Sequence, residues 1–389
     1  MKLLFGGDIC FWNCDPEDAR EPFAGLSGIF GEADISVVNL ENVFRFTEGD
    51  PIVKSGPNII SDPRFYQFIK TLNPTVVGLA NNHTFDFGPG PAFRTQETLK
   101  SDGFLTVGIG KNVDEAYEPL YLEAGSEKFA LIAVCENEFG CASTDRPGTA
   151  GYSLSRITKA ISDARERQCR PIVFFHGGNE RDPYPSPGKR ELYRHFADLG
   201  ADAVIACHTH CPQGYEYYRN KPIVYSMGNL FFPKKDESSI RSWYNGYLVQ
   251  LEINGGPTEL VPIPYVFDNG SVTVLDGNTK NDFLKYLEFI SSPIQSEGLL
   301  QKLFDIWCAI DPAYVNQLRK YSPDLFGGCE PEQIKSVRNV FTCEAHNELV
   351  KNTLELLYRG ELEKYKGFGG FYSQLRDMNI PTDGYAEVL

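Results

Sequence analysis

Residues 1 to about 230 predict a layered α/β fold, and three observations carry that prediction. Short apolar, β-branched runs recur along this stretch, and helical segments separate several of them. The runs are apolar throughout rather than alternating, as strands buried on both faces require, and helical crossovers favour parallel pairing. Polar residues suited to chemistry fall where those runs end, and sites in such folds collect at the carboxyl ends of strands.

The predicted strands are KLLFGG from residue 2, ISVVNL from 35, TVVGLA from 75, FLTVG from 104, FALIAV from 129, PIVFF from 171, AVIAC from 203 and PIVYSMG from 222. The predicted helices are PEDAREPFAGLSGIF from residue 16, DPRFYQFIKTL from 62, FRTQETLKSDG from 93, SLSRITKAISDARERQ from 153 and KRELYRHFADLG from 189. Two longer strands, SWYNGYLVQLEI and ELVPIPYVF, suggest an antiparallel hairpin around Asn254-Gly255-Gly256-Pro257. Beyond about residue 280 the pattern is helical, in DFLKYLEFISSPI, EGLLQKLFDIWCAI and one long stretch over 330–365. The chain therefore divides into an α/β region, 1–275, and a C-terminal helical subdomain or interaction surface, 276–389. The proline-rich segment 181–190 is expected to form a rigid pocket wall.

Composition narrows the function. A chain of 389 residues, 42% hydrophobic and 13% aromatic, can bury a full core. A formal charge of −15 disfavours general binding to nucleic acid or an anionic membrane. No run of 18 apolar residues is present, so no membrane span is expected. The chain passes from Met1-Lys2 straight into a strand without a secretory signal pattern. Ten cysteines lie scattered without a framework and read as reduced thiols, which points to a cytoplasmic location.

The polar clusters come next. Asp8 follows Gly6-Gly7 at the end of the first strand, where it can bind a metal or cap a turn, and the glycines would let a ligand approach the backbone. Asn39 and Glu41, two residues apart, share one face of an extended end; Glu41 can bridge two cations, or the pair can be a surface strand end. In GLANNHTFDFG, Asn82 is a neutral oxygen donor, His83 a candidate general acid, and Asp86 its orienting carboxylate. HGGNE supplies His176, with Glu180 four residues on. His208 and His210 form a His-x-His pair on one face of an extended segment, a chelating arrangement. Asn229 either lines the same pocket or forms a turn. His195 and His346 lie in helical stretches and read as structural or solvent-facing.

In order, GGD, VVNLENV, GLANNHTFDFG, HGGNE, ADAVIACHTHCPQG and PIVYSMGNLFF resemble the CapA family of poly-γ-glutamate capsule biosynthesis proteins, itself similar to the calcineurin-like metallophosphoesterases. The resemblance covers about residues 1–235 and implies an αββα sandwich with a dinuclear site. It implies that Asp8 and His210 hold one metal, that Asn82, His176 and His208 hold the other, and that Glu41 bridges them. His83 matches the histidine that protonates the leaving group. Three positions depart from the pattern: Cys10 replaces a histidine ligand, Glu41 a bridging aspartate, and Gly177 a tryptophan whose loss would open the pocket wall.

The implied function is metal-dependent hydrolysis of a phosphoester or a polyglutamate- or peptide-like acyl bond, with divalent ions such as Mn, Zn, Fe or Mg. The substrate would be a small or polymeric anion. The alternative is a non-catalytic accessory protein of polymer biosynthesis that keeps the fold and binds an anionic polymer. Their common position at strand ends predicts that Asp8, Glu41, Asn82, His176, His208 and His210 approach one point.

Overall fold

The computed structural model describes residues 1–17, 20–233, 240–254, 258–268, 270–321 and 331–381. Two sheets face one another. The first runs in the order Ser271–Val274, Glu259–Asp268, Asn245–Glu252, Lys2–Ile9, Ile35–Leu40, Val76–Gly78, Leu105–Val107. From Lys2–Ile9 to Leu105–Val107 the pairing is parallel, and on the other side it is antiparallel. The short strand Asn229–Phe231 pairs parallel with the carboxyl end of Lys2–Ile9. The second sheet runs Tyr215–Tyr218, Lys221–Val224, Ala203–Cys207, Arg170–His176, Glu127–Cys135, Leu120–Ala124, with four central parallel strands and antiparallel edges.

Side-chain alternation sorts the core into layers. Leu3, Phe5, Val37 and Val76 point inward and meet Leu131, Ile172, Phe174 and Ile205 of the opposite sheet. Leu4, Val38 and Val77 point outward against Phe30, Phe68, Ile69 and Leu99 of helices. On the far side Ile132, Val134, Val173 and Phe175 pack on Ile157, Ile161, Tyr193 and Phe196. The result is the expected αββα sandwich with a helical C-terminal region. Phe283, Leu300, Trp307 and Tyr372 from that region belong to the same apolar cluster as the inter-sheet core.

Several details differ from expectation. The helix expected over 16–30 shrinks to Ser27–Glu32, because Pro22 and glycines interrupt it; residues 18 and 19 lie outside the described residues. The hairpin strands pair as expected, and residues 255–257 of its turn also lie outside the described residues. The long stretch over 330–365 breaks at Cys343, whose backbone is extended, into Pro331–Thr342, Glu344–Tyr358 and Leu362–Lys366.

The glycines before Asp8 serve the chain itself and not a ligand. A Cβ on Gly7 would lie 1.9 Å from the carbonyl oxygen of Gly228, so the return strand can pass only over a bare backbone. Gly28, in the exposed helix Ser27–Glu32, has nothing within 4 Å of its would-be Cβ. Gly7→Ala is therefore expected to destabilise by about 3 kcal/mol or more, the upper range of overpacking. Gly28→Ala is expected to stabilise by about 0.5–1 kcal/mol. Urea unfolding of the two variants checks the contrast, and equal effects would refute it.

Candidate metal centre

Five strand ends deliver polar side chains into the space between the two sheets. Asp8 ends the first strand, fully buried, with Oδ1 accepting from Asn39 Nδ2 at 2.7 Å and Oδ2 from the His208 amide at 2.8 Å. Asn39 Nδ2 also lies 3.2 Å from His176 Nδ1, and Asn39 Oδ1 accepts from Asn81 Nδ2 at 3.1 Å. Asn81, whose role the sequence did not indicate, receives the His83 amide and the Thr84 hydroxyl on its Oδ1, shaping the turn that follows the strand.

His176 stands at the centre. Its Nε2 lies 3.0 Å from Asn82 Oδ1, 3.0 Å from His208 Nδ1 and 3.6 Å from Glu41 Oε1. Its Nδ1 faces Asp8 Oδ1 at 3.5 Å and Cys207 Sγ at 3.5 Å. His210 Nε2 lies 3.8 Å from Glu41 Oε1, and its Nδ1 lies 2.9 Å from Asn229 Oδ1. Ligand atoms of Glu41, His176 and His208 fall within 4.8 Å of one another, as do those of Asp8, Glu41 and His210. The six residues predicted to approach one point all do so.

The carboxylate of Glu41 tests whether these residues suit a cation. Both of its oxygens are buried without a hydrogen-bond partner, although three imidazoles surround it. An ionised carboxylate left so costs several kcal/mol, and a bound cation removes that cost. Burial and the Asp8 charge push the Glu41 carboxyl well up. Burial opposes ionisation of Asp8 too, but the hydrogen bond and charge of His176 outweigh it and hold that carboxyl low. Burial and the neighbouring His176 keep His208 well below the usual imidazole range, leaving a neutral donor. Donor separations of 3.0–3.8 Å match the edges of a coordination shell with bonds of about 2.0–2.2 Å. The donor set is nitrogen and oxygen, which suits a divalent cation.

The His208-Thr209-His210 segment is a turn and not the extended piece expected. His208 has φ +103° and His210 φ +56°. Non-glycine residues rarely occupy these conformations, and they cost about 1–3 kcal/mol each. The Asp8 contact to the His208 amide, and the Arg181 amide donating to Thr209 O at 2.8 Å, hold the turn.

Beside this cluster, His83 Nδ1 sits 2.7 Å from Asp86 Oδ2. Asp86 is fixed in turn by Lys54 Nζ at 2.5 Å and the Ile59 amide at 2.7 Å. Lys54, which no motif announced, also lies 3.0 Å from His83 Nδ1. Burial and the Lys54 charge lower the His83 pKa.

The remaining candidates are placed as follows. Cys10 packs in an apolar cluster with Ile59, Phe232 and Trp243, and burial with the Glu41 charge pushes its thiol well up. Asn229 spends its amide on His210 and on the Trp243 carbonyl, so it orients an imidazole. Glu180 is buried enough to resist ionisation, yet His210, His208 and Arg181 take its carboxyl down to about 2. His195 is exposed, and His346 is buried in helix Glu344–Tyr358.

Gly177 does not open a wall. A Cβ there would meet Glu136 Cγ at 2.5 Å, because the Glu136 side chain fills the place and pairs with Lys189. Of the proline-rich segment, Arg181 at one end and Gly188 and Lys189 at the other line surface clefts. The segment is mostly buried under the C-terminal helices, with Ser186 Oγ donating to Glu348 at 2.5 Å.

Among the described residues, no helix is long and apolar enough to cross a membrane. A Bacillus subtilis protein named "PGA biosynthesis protein CapA" is 26% identical over 274 residues, 68% of this chain and 71% of that one. A Bacillus anthracis protein named "Capsule biosynthesis protein CapA" is 27% identical over 210 residues, and the match spans 52% of this chain and 50% of that one. A Mycobacterium tuberculosis protein named "Probable polyglutamine synthesis accessory protein MT0602" is 26% identical over 235 residues, 55% of this chain and 60% of that one. A solved structure of a novel Mycoplasma phosphatase is 13% identical with a TM-score of 0.43, covering 69% of this chain and 94% of that one; likeness at that level carries no argument. The family model described as "Bacterial capsule synthesis protein PGA_cap" matches residues 2–234, more than half of the chain, and the protein belongs to that family.

Proposed function

We propose that this protein is a metal-dependent hydrolase of polymer biosynthesis, acting on a phosphoester or a polyglutamate- or peptide-like acyl bond of an anionic substrate. The observation that carries the reading is the Glu41 carboxylate, fully buried and unpartnered among three imidazoles and Asp8. Asp8, Glu41 and His210 would hold one cation, and Asn82, His176 and His208 with Glu41 a second. When bound, such cations supply Lewis acidity and lower the pKa of a water. Asn39 keeps Asp8 and His176 in register, and Asn229 sets the His210 ring. Asp86 takes the Nδ1 side of His83, which leaves Nε2 as the nitrogen that would carry a proton to a leaving group. Lys54 pairs with Asp86 and adds positive charge beside the place an anion would occupy. The nine described cysteines are free thiols, which favours a reducing compartment.

A second reading is a non-catalytic accessory role. The name of the M. tuberculosis relative and the apolar surroundings of Cys10 favour it. Metal content and turnover separate the two.

His208→Ala is expected to lose bound metal and hydrolytic activity together. Native mass spectrometry reads the metal, and unchanged content would argue against ligation. His83→Ala is expected to keep its metal while turnover falls by about 10²–10⁴-fold on an alkyl ester. The loss should be much smaller on an activated nitrophenyl ester, whose leaving group needs no proton. An equal loss on both esters would mean that His83 positions substrate and donates nothing.

A further inference from the structure

We propose that Glu138, Cys343 and His346 form a separate cation site, for a thiophilic divalent ion of the zinc class, that pins the C-terminal helices to the sandwich. The three residues come from distant parts of the chain. Glu138 follows strand Glu127–Cys135, Cys343 marks the break between helices Pro331–Thr342 and Glu344–Tyr358, and His346 lies one turn further on. All are buried, at 6%, 0% and 3% exposure, and one ligand atom from each lies within 4.8 Å of the others.

Glu138 and His346 stand at a ligation spacing and not a hydrogen-bonding one, while Cys343 Sγ lies 3.5 Å from Glu136 Oε2. His346 Nε2 lies 3.7 Å from Glu138 Oε1, too long for a hydrogen bond. Two ligands of a tetrahedral zinc with bonds of about 2.0–2.3 Å stand about 3.3–3.8 Å apart. His346 Nδ1 is buried without a hydrogen-bond partner, and the ring is oriented by stacking on Tyr314 at 3.9 Å. The breaking of the helix at Cys343 places its thiol and His346 three residues apart, on one face of the next helix start. Asn82 Nδ2 donates to Glu138 Oε2 at 2.6 Å and Asn339 Nδ2 to Oε1 at 3.3 Å, so the carboxylate is oriented from both ends and retains lone pairs for a cation. Thiolate, imidazole and carboxylate together select zinc or iron over magnesium or calcium.

The site shares no ligand with the cluster around Glu41, and its nearest link to it is the Glu138 contact to Asn82. A cation there would cross-link helices outside the family match to the loop that supports Asn82. The proposal does not depend on hydrolysis.

Cobalt substitution tests it. The full chain, stripped with chelator and reloaded with Co(II), is expected to show thiolate-to-cobalt charge-transfer absorption. That absorption should persist in His208→Ala, which addresses the hydrolytic reading. It should vanish in Cys343→Ser, with the loss of one equivalent of metal, and weaken or shift in His346→Gln, which keeps the thiolate but loses one ligand. Absence of the absorption in the unsubstituted protein overturns the proposal, whatever the variants do. Retention in Cys343→Ser with loss in Cys207→Ser also overturns it, because the thiolate would then be the one beside His176.

Discussion

The buried carboxylate of Asp8 is the contact on which the arrangement of the site depends. One oxygen takes the Asn39 side chain from the neighbouring strand, and the other takes the His208 amide from the opposite sheet. A single ion thus fixes the carboxyl ends of two strands and the turn that follows a third. Hydrogen bonds to a charge are the strong ones, and burial strengthens them further. The turn it holds needs such support, because His208 and His210 both sit at positive φ. With the turn held, His208 meets His176 and His210 faces Glu41, and the two rings stand 5.9 Å apart at the centroids.

Around that contact the supports are graded by distance. Asn39 and Asn81 form an amide chain linking Asp8 to the turn that carries His83. Trp243 and Phe232 pack on the His210 ring at 4.8 Å and 5.1 Å, and Asn229 holds its Nδ1. Five groups outside the cluster thus orient its side chains, as a preorganised cation site would require.

The C-terminal helices are tied to the sandwich by carboxylates as well as by apolar packing. Glu344 accepts from the backbone and side chain of Asn137, and Glu348 from Ser186 and the Gly188 amide. Glu136 fills the space beside Gly177 and pairs with Lys189, and Cys343 Sγ lies 3.5 Å from it. A side chain thus occupies the gap that a glycine at 177 suggested. The loop 136–138 mediates between the tail and the residues around Glu41, because Glu138 reaches Asn82.

The sequence by itself determined the layers and the polar side chains that gather between them. Eight apolar runs became strands, because continuous β-branched segments can be satisfied only inside a sheet covered on both sides. Asp8, Glu41, Asn82, His176, His208 and His210 were legible because polar groups directly after buried strands need a reason, and strand ends point them to a common edge. Tertiary structure decided the rest. That two sheets rather than one supply the donors follows from inter-sheet packing, which no local pattern encodes. Lys54 was invisible because a lone lysine in a loop carries no periodicity, and its role exists only where it meets Asp86 and His83. Glu136 and Glu138 lie about 207 residues from Cys343 and His346 in sequence, and only the docking of the helices brings the two pairs together. Local sequence sets what a segment can become; contacts between distant segments set what each buried charge faces.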